Sequence, residues 1–442
     1  MKSMKKLVLV GFVLLASVMV LVGCDTNAGD SSSGADAPTQ QPTGDDSGKT
    51  ETPKFTVTFN TDGGSAVDSQ SVESGKMAIK PEDPTLEGSW FLGWYGDKDL
   101  TKEFDFTSPI TNNTEVYAKW SYKFYAKYQF LPDYTSPNNT DNTWTYVAFG
   151  DWPQTIKASE VTVDESKSKQ MGMFTYYLGS DGNCYVKHND DYFKVEPIIW
   201  RVLTENYLVP DENGQPVESG NSLLLAEKIL TGGIPYYVDT ARRTITGAGT
   251  TEEEPNTVYA NNYKYSTIRA WLNGLDVVKS DSENDSTYKD KGFLQTAFTE
   301  KALEFIVDTT VDNSARSTNP DGNESLWDSG SNKYASETKT TDKIFLLSEQ
   351  EATKEEYGFA EYIAYGKGNT RIRVTTDYAK ATGAYQDSTA DYGGWWWLRS
   401  PNYSDESRVR FICYDGNATT YYSVYNVIGC VVPALSISMN GN

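Results

Sequence analysis

Histidine is almost missing from this chain. The single copy, His188, lies in the polar run His188-Asn189-Asp190-Asp191 and reads as a loop residue. Hydrolytic triads and most zinc centres need at least one histidine, so the scarcity narrows the chemistry. No HExxH, CxxC or GxxxxGK[ST] pattern occurs, and no GxGxxG follows a strand-like run. Basic residues are also in deficit. Lys and Arg number 39 against 61 Asp and Glu, a net charge of −22. That balance argues against nucleic acid or an anionic membrane surface as partner. Cysteine is sparse at four copies, Cys24, Cys184, Cys413 and Cys430. Cys413 and Cys430 lie in one region and could pair, but spacing alone leaves that open. What the chain has in quantity is aromatic: 30 Tyr and 11 Trp.

The N-terminus is basic at Lys2, Lys5 and Lys6 and then apolar from Leu7 to Val22. A run of about 16 residues is short of the roughly 20 that a spanning helix needs. It ends in Leu21-Val22-Gly23-Cys24. Residues 1–24 therefore resemble a bacterial lipoprotein signal peptide. The resemblance implies cleavage before Cys24, lipidation of that cysteine, and attachment to a membrane through the lipid anchor. Residues 25–53 are rich in Ser, Gly, Asp, Thr, Gln and Pro. Such a stretch cannot bury a core, and as a disordered tether it spans about 30 Å.

Residues 54–120 read as a small β unit. Phe55, Val57 and Phe59 alternate with polar residues, and Asp62-Gly63-Gly64 signals a turn. Trp90-Phe91-Leu92-Gly93-Trp94-Tyr95, Phe104-Asp105-Phe106, Pro109-Ile110-Thr111 and Val116-Tyr117-Ala118-Lys119-Trp120 follow. This string resembles the internalin B-type, or Listeria–Bacteroides, repeat. The resemblance implies a β-grasp-like fold on a bacterial surface protein, acting as a spacer or an adhesive module, and the single copy here favours the spacer.

Residues 122–442 read as one α+β domain. Phe149-Gly150-Asp151-Trp152-Pro153-Gln154 opens it. Strands are expected at Glu196–Leu203, Leu223–Ala226 and Asp342–Leu347. Helices are expected at 265–273, capped by Ser266; at 299–307, capped by Thr299; after Ser348 with Glu351 as a capping box; and at 376–381, ending at Gly383. Residues 205–220, 231–262, 276–292 and 312–341 are polar and read as long surface loops. Six marks, FGxxPQ, PIxWRVL, YxxSxIRxWLN, FLLSxxEA, WWLRSP and a closing VxPAL, span 146–437. Together they resemble an uncharacterised bacterial domain family, with Val432 standing where that family usually has Arg. The pattern also resembles C-type-lectin-like and sulfatase-modifying-factor folds, which implies a lectin-like scaffold.

The domain ends in the stretch from Gly393 to Leu435. Trp395 to Pro401 and Val431 to Leu435 read as a buried frame. Between them Asn402, Tyr403, Ser404, Asp405, Ser407, Arg408, Arg410, Tyr414, Asp415, Asn417, Tyr421, Tyr422, Tyr425 and Asn426 form the expected ligand-binding face. Tyr, Ser, Asn and Arg are the residues of antibody paratopes. The stretch also resembles the variable region of retroelement-diversified proteins, which implies hypervariability of 402–426. Glu254-Pro255-Asn256 matches a lectin sugar-binding triplet but lacks its companion strand, and Asn319–Glu324 reads as a turn more readily than as a calcium loop. The expectation is a lipid-anchored surface binder of an extracellular protein or glycan, not an enzyme, with no cofactor and no metal. A carboxylate glycosidase of the envelope, or a structural envelope protein without a specific ligand, are the alternatives.

Overall fold

In a computed structural model of the chain, the described residues are 52–137, 144–249, 252–318, 334, 339–360, 369–388, 393–402, 404–419 and 422–439. Cys24 and the tether lie outside them.

The repeat begins with β1 (Lys54–Asn60), β2 (Gln70–Glu73), β3 (Phe91–Tyr95) and β4 (Thr114–Trp120). Their order is β2-β1-β4-β3, with β1 and β4 parallel at the centre and antiparallel partners outside. Alternation along β1 puts Val57 and Phe59 inside, against Trp94, Val116 and Trp120. This apolar cluster is separate from that of the larger domain.

The larger domain is mostly sheet. β5 (Gln129–Phe130), β6 (Tyr146–Ile156), β7 (Val163–Met171), β8 (Phe174–Gly179), β9 (Cys184–His188) and β10 (Asp191–Thr204) come first. A ribbon of β11 (Leu208–Pro210) and β12 (Pro216–Glu218) precedes β13 (Ser222–Ala226), which returns to the main sheet. Further ribbons pair β14 (Arg243–Thr244) with β15 (Thr257–Val258), β16 (Val277–Val278) with β17 (Asn284–Asp285), and β18 (Thr309–Val311) with β19 (Thr340–Asp342). β20 (Ile344–Phe345) and β24 (Ala434–Ile437) close the nine-stranded sheet, whose order is β20-β24-β13-β10-β9-β8-β7, with β6 on β10 and β5 on β6. β21 (Trp396–Pro401), β22 (Val409–Ile412) and β23 (Ala418–Thr419) make a separate three-stranded sheet.

Helices are short: α1 (Thr267–Asn273), α2 (Phe293–Ala297), α3 (Glu300–Leu303), α4 (Glu349–Ala352) and α5 (Asp377–Ala381). The capping expectations hold at the atomic level. Ser266, Thr299, Ser348 and Thr376 each accept the backbone N–H three residues on. Glu351 completes the box by accepting from Ser348 N at 2.8 Å. Three expectations are corrected. The helix from Thr299 stops at Leu303, because Ile306 bridges to Ile437 and Val307 donates to Ser436 O, drawing the chain onto β24. Three of the polar segments read as loops, 205–220, 231–262 and 276–292, carry short ribbons that satisfy their own backbone groups, and the fourth, 312–341, is bracketed by the β18–β19 pair. His188 is the last residue of β9 rather than a loop residue.

The core explains the tryptophan-bearing marks. Trp152 contacts Phe174, Trp271, Phe293 and Tyr378, and its indole donates to Leu230 O at 3.0 Å. Trp200 donates to Phe149 O at 2.6 Å. Val432, at the departing position of the closing mark, is fully buried.

Candidate functional site

Two ion pairs support the C-terminal stretch from below. Arg399 grips Glu351 in a fork, Nη1 to Oε2 at 2.5 Å and Nη2 to Oε1 at 3.0 Å, and also donates to Leu346 O at 2.8 Å. Tyr207 donates its hydroxyl to the same carboxylate. Burial pushes the Glu351 carboxyl up, but Arg399 outweighs it and holds the pKa below the usual range. One strand over, Arg410 pairs with Glu349 at 2.9 Å, both side chains buried. Ser400 Oγ accepts from Glu349 N at 2.9 Å. The FLLSxxEA and WWLRSP marks thus meet in one buried polar lock.

The frame is corrected in one place. Trp396 and Trp397 are fully buried, but Trp395 is only half-buried. It stacks on Tyr385 at 4.7 Å and meets Tyr422 at 4.5 Å. Tyr385 in turn faces Tyr414 at 6.2 Å. An aromatic row, Tyr414–Tyr385–Trp395–Tyr422, therefore joins the β22–β23 turn to the segment at 422–426.

Two expected face residues are buried instead. Asn402 is 4 % exposed, and its Oδ1 accepts from Ser404 N, Ser404 Oγ and Asp405 N, at 2.7, 3.1 and 3.0 Å. It organises a turn and presents nothing outward. Arg410 is 7 % exposed and belongs to the ionic lock. Tyr403 and Tyr421 lie outside the described residues.

The remaining residues fall into two groups. Tyr414, Asp415 and Asn417 occupy the β22–β23 turn, where Cys413 N donates to Asn417 O at 2.8 Å. Asp405, Ser407, Arg408, Tyr422, Tyr425 and Asn426 line an open groove of about 720 Å³, together with Thr240, Glu406 and Ser423. Ser404 is exposed on the same turn. The two walls are tied by Val424 N to Ser407 O at 2.8 Å and Ser423 Oγ to Ser407 O at 3.0 Å. Buried Asn261 anchors the first wall, donating to Asp405 O at 3.1 Å and Arg408 O at 3.0 Å.

Part of this polarity is spent on the turns. Asp405 accepts from Ser407 N and Oγ at 2.9 and 2.7 Å, and pairs with Arg408 at 3.0 Å. Burial raises the Asp405 pKa, but Ser407 and Arg408 outweigh that and it lies low, so the carboxylate is charged near neutrality. Asn426 Oδ1 accepts from Ile428 N at 2.8 Å. Glu406 is held by Arg242, which also reaches Glu254. Tyr425, 57 % exposed, remains free to meet a ligand, flanked by exposed Val427 and Ile428. Thr240, Arg242 and Tyr385 were missed by the sequence reading. They come from distant segments and carry no local signal.

Cys184, Cys413 and Cys430 are free thiols. Among the described residues, no group of three or more His, Cys, Asp or Glu is placed to hold a metal, and no helix is long and apolar enough to cross a membrane.

The fold and groove define a mostly-sheet domain displaying a polar and aromatic surface groove behind a small repeat. Residues 219–439, half of the chain, match the family described as Domain of unknown function (DUF6273), and the chain belongs to that family. Residues 55–119 match the Listeria-Bacteroides repeat domain. Two proteins of Evansella cellulosilytica are similar over short spans. One, named "Putative membrane protein", is 41 % identical over 73 residues, 16 % of this chain and 11 % of that protein. The other, named "Putative Gly-rich membrane protein", is 38 % identical over 79 residues, 18 % of this chain and 9 % of that protein. The match thus spans only about a tenth of the length of either relative.

Proposed function

We propose that the chain is a binding protein of a bacterial cell envelope, presenting the groove between residues 404–408 and 422–426 to an extracellular protein or glycan. One observation carries this reading. Six of the expected face residues, drawn from two separate turns, converge on one open groove, with Tyr425 exposed at its edge. Tyrosine supplies contact area at low entropic cost, and the ionised Asp405–Arg408 pair supplies directional hydrogen bonds. The repeat and the names of the two relatives support an envelope location.

Three finer readings belong to the same proposal. Cys24 carries the lipid anchor. The scaffold, with its few short helices and long polar connections, is C-type-lectin-like. Residues 402–426 are diversified by a retroelement. Buried Asn402 and Arg410 limit the last of these: diversification spares 402 and 410 and falls on positions such as 404, 408 and 425. A nearby reverse-transcriptase gene with an adenine-differing copy of this coding stretch would support it, and their absence would sink it.

The groove itself is tested by screening the chain from residue 52 onward against arrayed glycans and proteins. Replacing both Arg408 and Tyr425 with Ala is expected to weaken any selected interaction at least about tenfold, the loss of one good contact of roughly 1.4 kcal/mol. The urea midpoint should stay put, because both side chains are exposed. Undiminished binding by this variant removes the groove from the assignment.

A further inference from the structure

A second feature, away from the groove, lies inside the main sheet. Arg201, on β10, stands opposite Tyr146 of β6 and Leu225 of β13. Its side chain is sandwiched between the rings of Trp144 at 5.1 Å and Phe359 at 4.8 Å. Arg373, in the segment before α5, is its cationic neighbour. Both residues are at most 1 % exposed. Arg373 Nη1 donates to Thr370 O and Ile372 O, each at 2.9 Å. Nε and Nη2 of Arg201 and Nε and Nη2 of Arg373 are buried without an acceptor.

The charges do not balance. Among the described residues, the carboxylate whose charge acts on both guanidinium groups is Glu227, just after β13, which also accepts from Ser136. Among the described residues, two cations therefore face one anion in the interior. Burial and Arg373 push Arg201 down to about 9, which still leaves it charged at neutral pH. The aromatic sandwich eases the charge of Arg201 but offers no lone pair to its N–H groups. A buried cation without a counter-charge costs several kcal/mol, and buried donors without acceptors are rare in folded proteins. A guanidinium fork matches the oxygens of a carboxylate, phosphate or sulfate.

We propose that Arg201 and Arg373 form a buried site for one small oxyanion, which supplies the missing negative charge and accepts the free guanidinium N–H groups. The anion is a resident of the folded chain, since neither arginine reaches solvent. It is distinct from the groove, and neither site depends on the other.

The test is a linkage measurement, which reaches a buried site because the unfolding equilibrium opens it. The protein is unfolded in urea and refolded in chloride buffer free of oxyanions. Urea midpoints are then taken against phosphate, sulfate or acetate at constant ionic strength. One bound anion lowers the unfolding constant tenfold per tenfold rise in free anion above its Kd. Acetate separates a carboxylate site from a tetrahedral one. Arg373→Gln is expected to abolish the response. Glu227→Gln, which removes the internal competitor, is expected to be less stable in chloride and to respond at a lower anion concentration than the unaltered chain. Phosphate and sulfate also stabilise proteins generally by exclusion from the surface. An equal response in a folded Arg373→Gln variant would assign the effect to that cause and overturn the site. If Arg373→Gln does not fold, Glu227→Gln decides: no left-shift in its response overturns the proposal. So does a flat response of the unaltered chain to all three anions.

Discussion

Arg399 shows what a single side chain contributes here. It satisfies Glu351, Leu346 O and Asp312 O from a fully buried position. Replacing it with Met would strand a buried carboxylate, and removal of one partner of such a pair costs about 3–5 kcal/mol. Arg399→Met is therefore expected to shift the urea midpoint strongly downward. Adding Glu351→Met should recover much of the loss, since two apolar side chains leave no stranded charge. Asp151 behaves in the opposite sense. It accepts from Tyr122 Oη and from Tyr125 N, the latter at 2.7 Å, yet full burial pushes its pKa up to about 7. The native state holds a proton that the unfolded chain, with a carboxyl near 3.8, releases. The stabilisation is thus present below about pH 4 and is lost as pH rises through about 7. Asp151→Asn keeps an acceptor and cannot titrate. The stability difference between the natural chain and this variant should fall by a few kcal/mol between pH 4 and 7, read as urea midpoints. A flat difference would mean that Asp151 is solvated and ionised throughout.

At the scale of elements, the β6–β10 pair carries the domain, and its register depends on one glycine. Phe149 and Gly150 stand against Ile198 alone, between the Ala148–Ile199 and Asp151–Pro197 pairs. Gly150 has φ +70°, and an added Cβ would sit 2.5 Å from the Phe298 ring and 2.9 Å from Ala297 O. Gly150→Ala should cost more than about 2 kcal/mol, combining the left-handed penalty with the clash. A change under about 0.5 kcal/mol in chemical denaturation would mean the bulge relaxes freely. This register was invisible in the sequence, whereas the caps were not. Ser266, Thr299, Ser348 and Thr376 act within three residues, so local pattern reveals them. The strands at Glu196–Leu203 and Leu223–Ala226 were likewise legible from apolar runs. The ionic lock joins positions about fifty residues apart, and nothing local announces it. That is also why Arg410 was misplaced: its side chain looks like surface chemistry until Glu349 is brought to it. Asn402 is a different case, since its partners Ser404 and Asp405 lie within three residues and the turn it organises was open to a local reading. The groove was legible in two thirds of its lining, because 405–408 and 422–426 are continuous turns, while Thr240 arrives from elsewhere.

At the scale of the whole molecule, the question is whether the repeat hangs loosely or braces the larger domain. The expectation was a spacer. From Thr52 onward, however, the chain forms one compact unit. Trp90 packs against the larger core, with Lys169 above its ring at 5.3 Å and donating to Ser89 O. Trp90 N and O bond Ser121, and Tyr122 N donates to Gly182 O at 3.2 Å. Phe124 fills the space over Gly88, which has φ +69° and no room for a Cβ. A loosely hung module would share none of these contacts. The repeat should therefore unfold together with the larger domain in calorimetry, as one transition. Trp90→Ala removes part of a half-buried aromatic at a cost of about 2 kcal/mol. Because the two apolar clusters are separate, that loss falls on the coupling between them and should split the transition in two. Deleting residues 54–120 should then lower the melting temperature of what remains, since Phe124 and Tyr122 lose their cover. A remainder that melts unchanged would restore the spacer reading. A lowered one makes the repeat a brace that fixes the direction in which the groove faces.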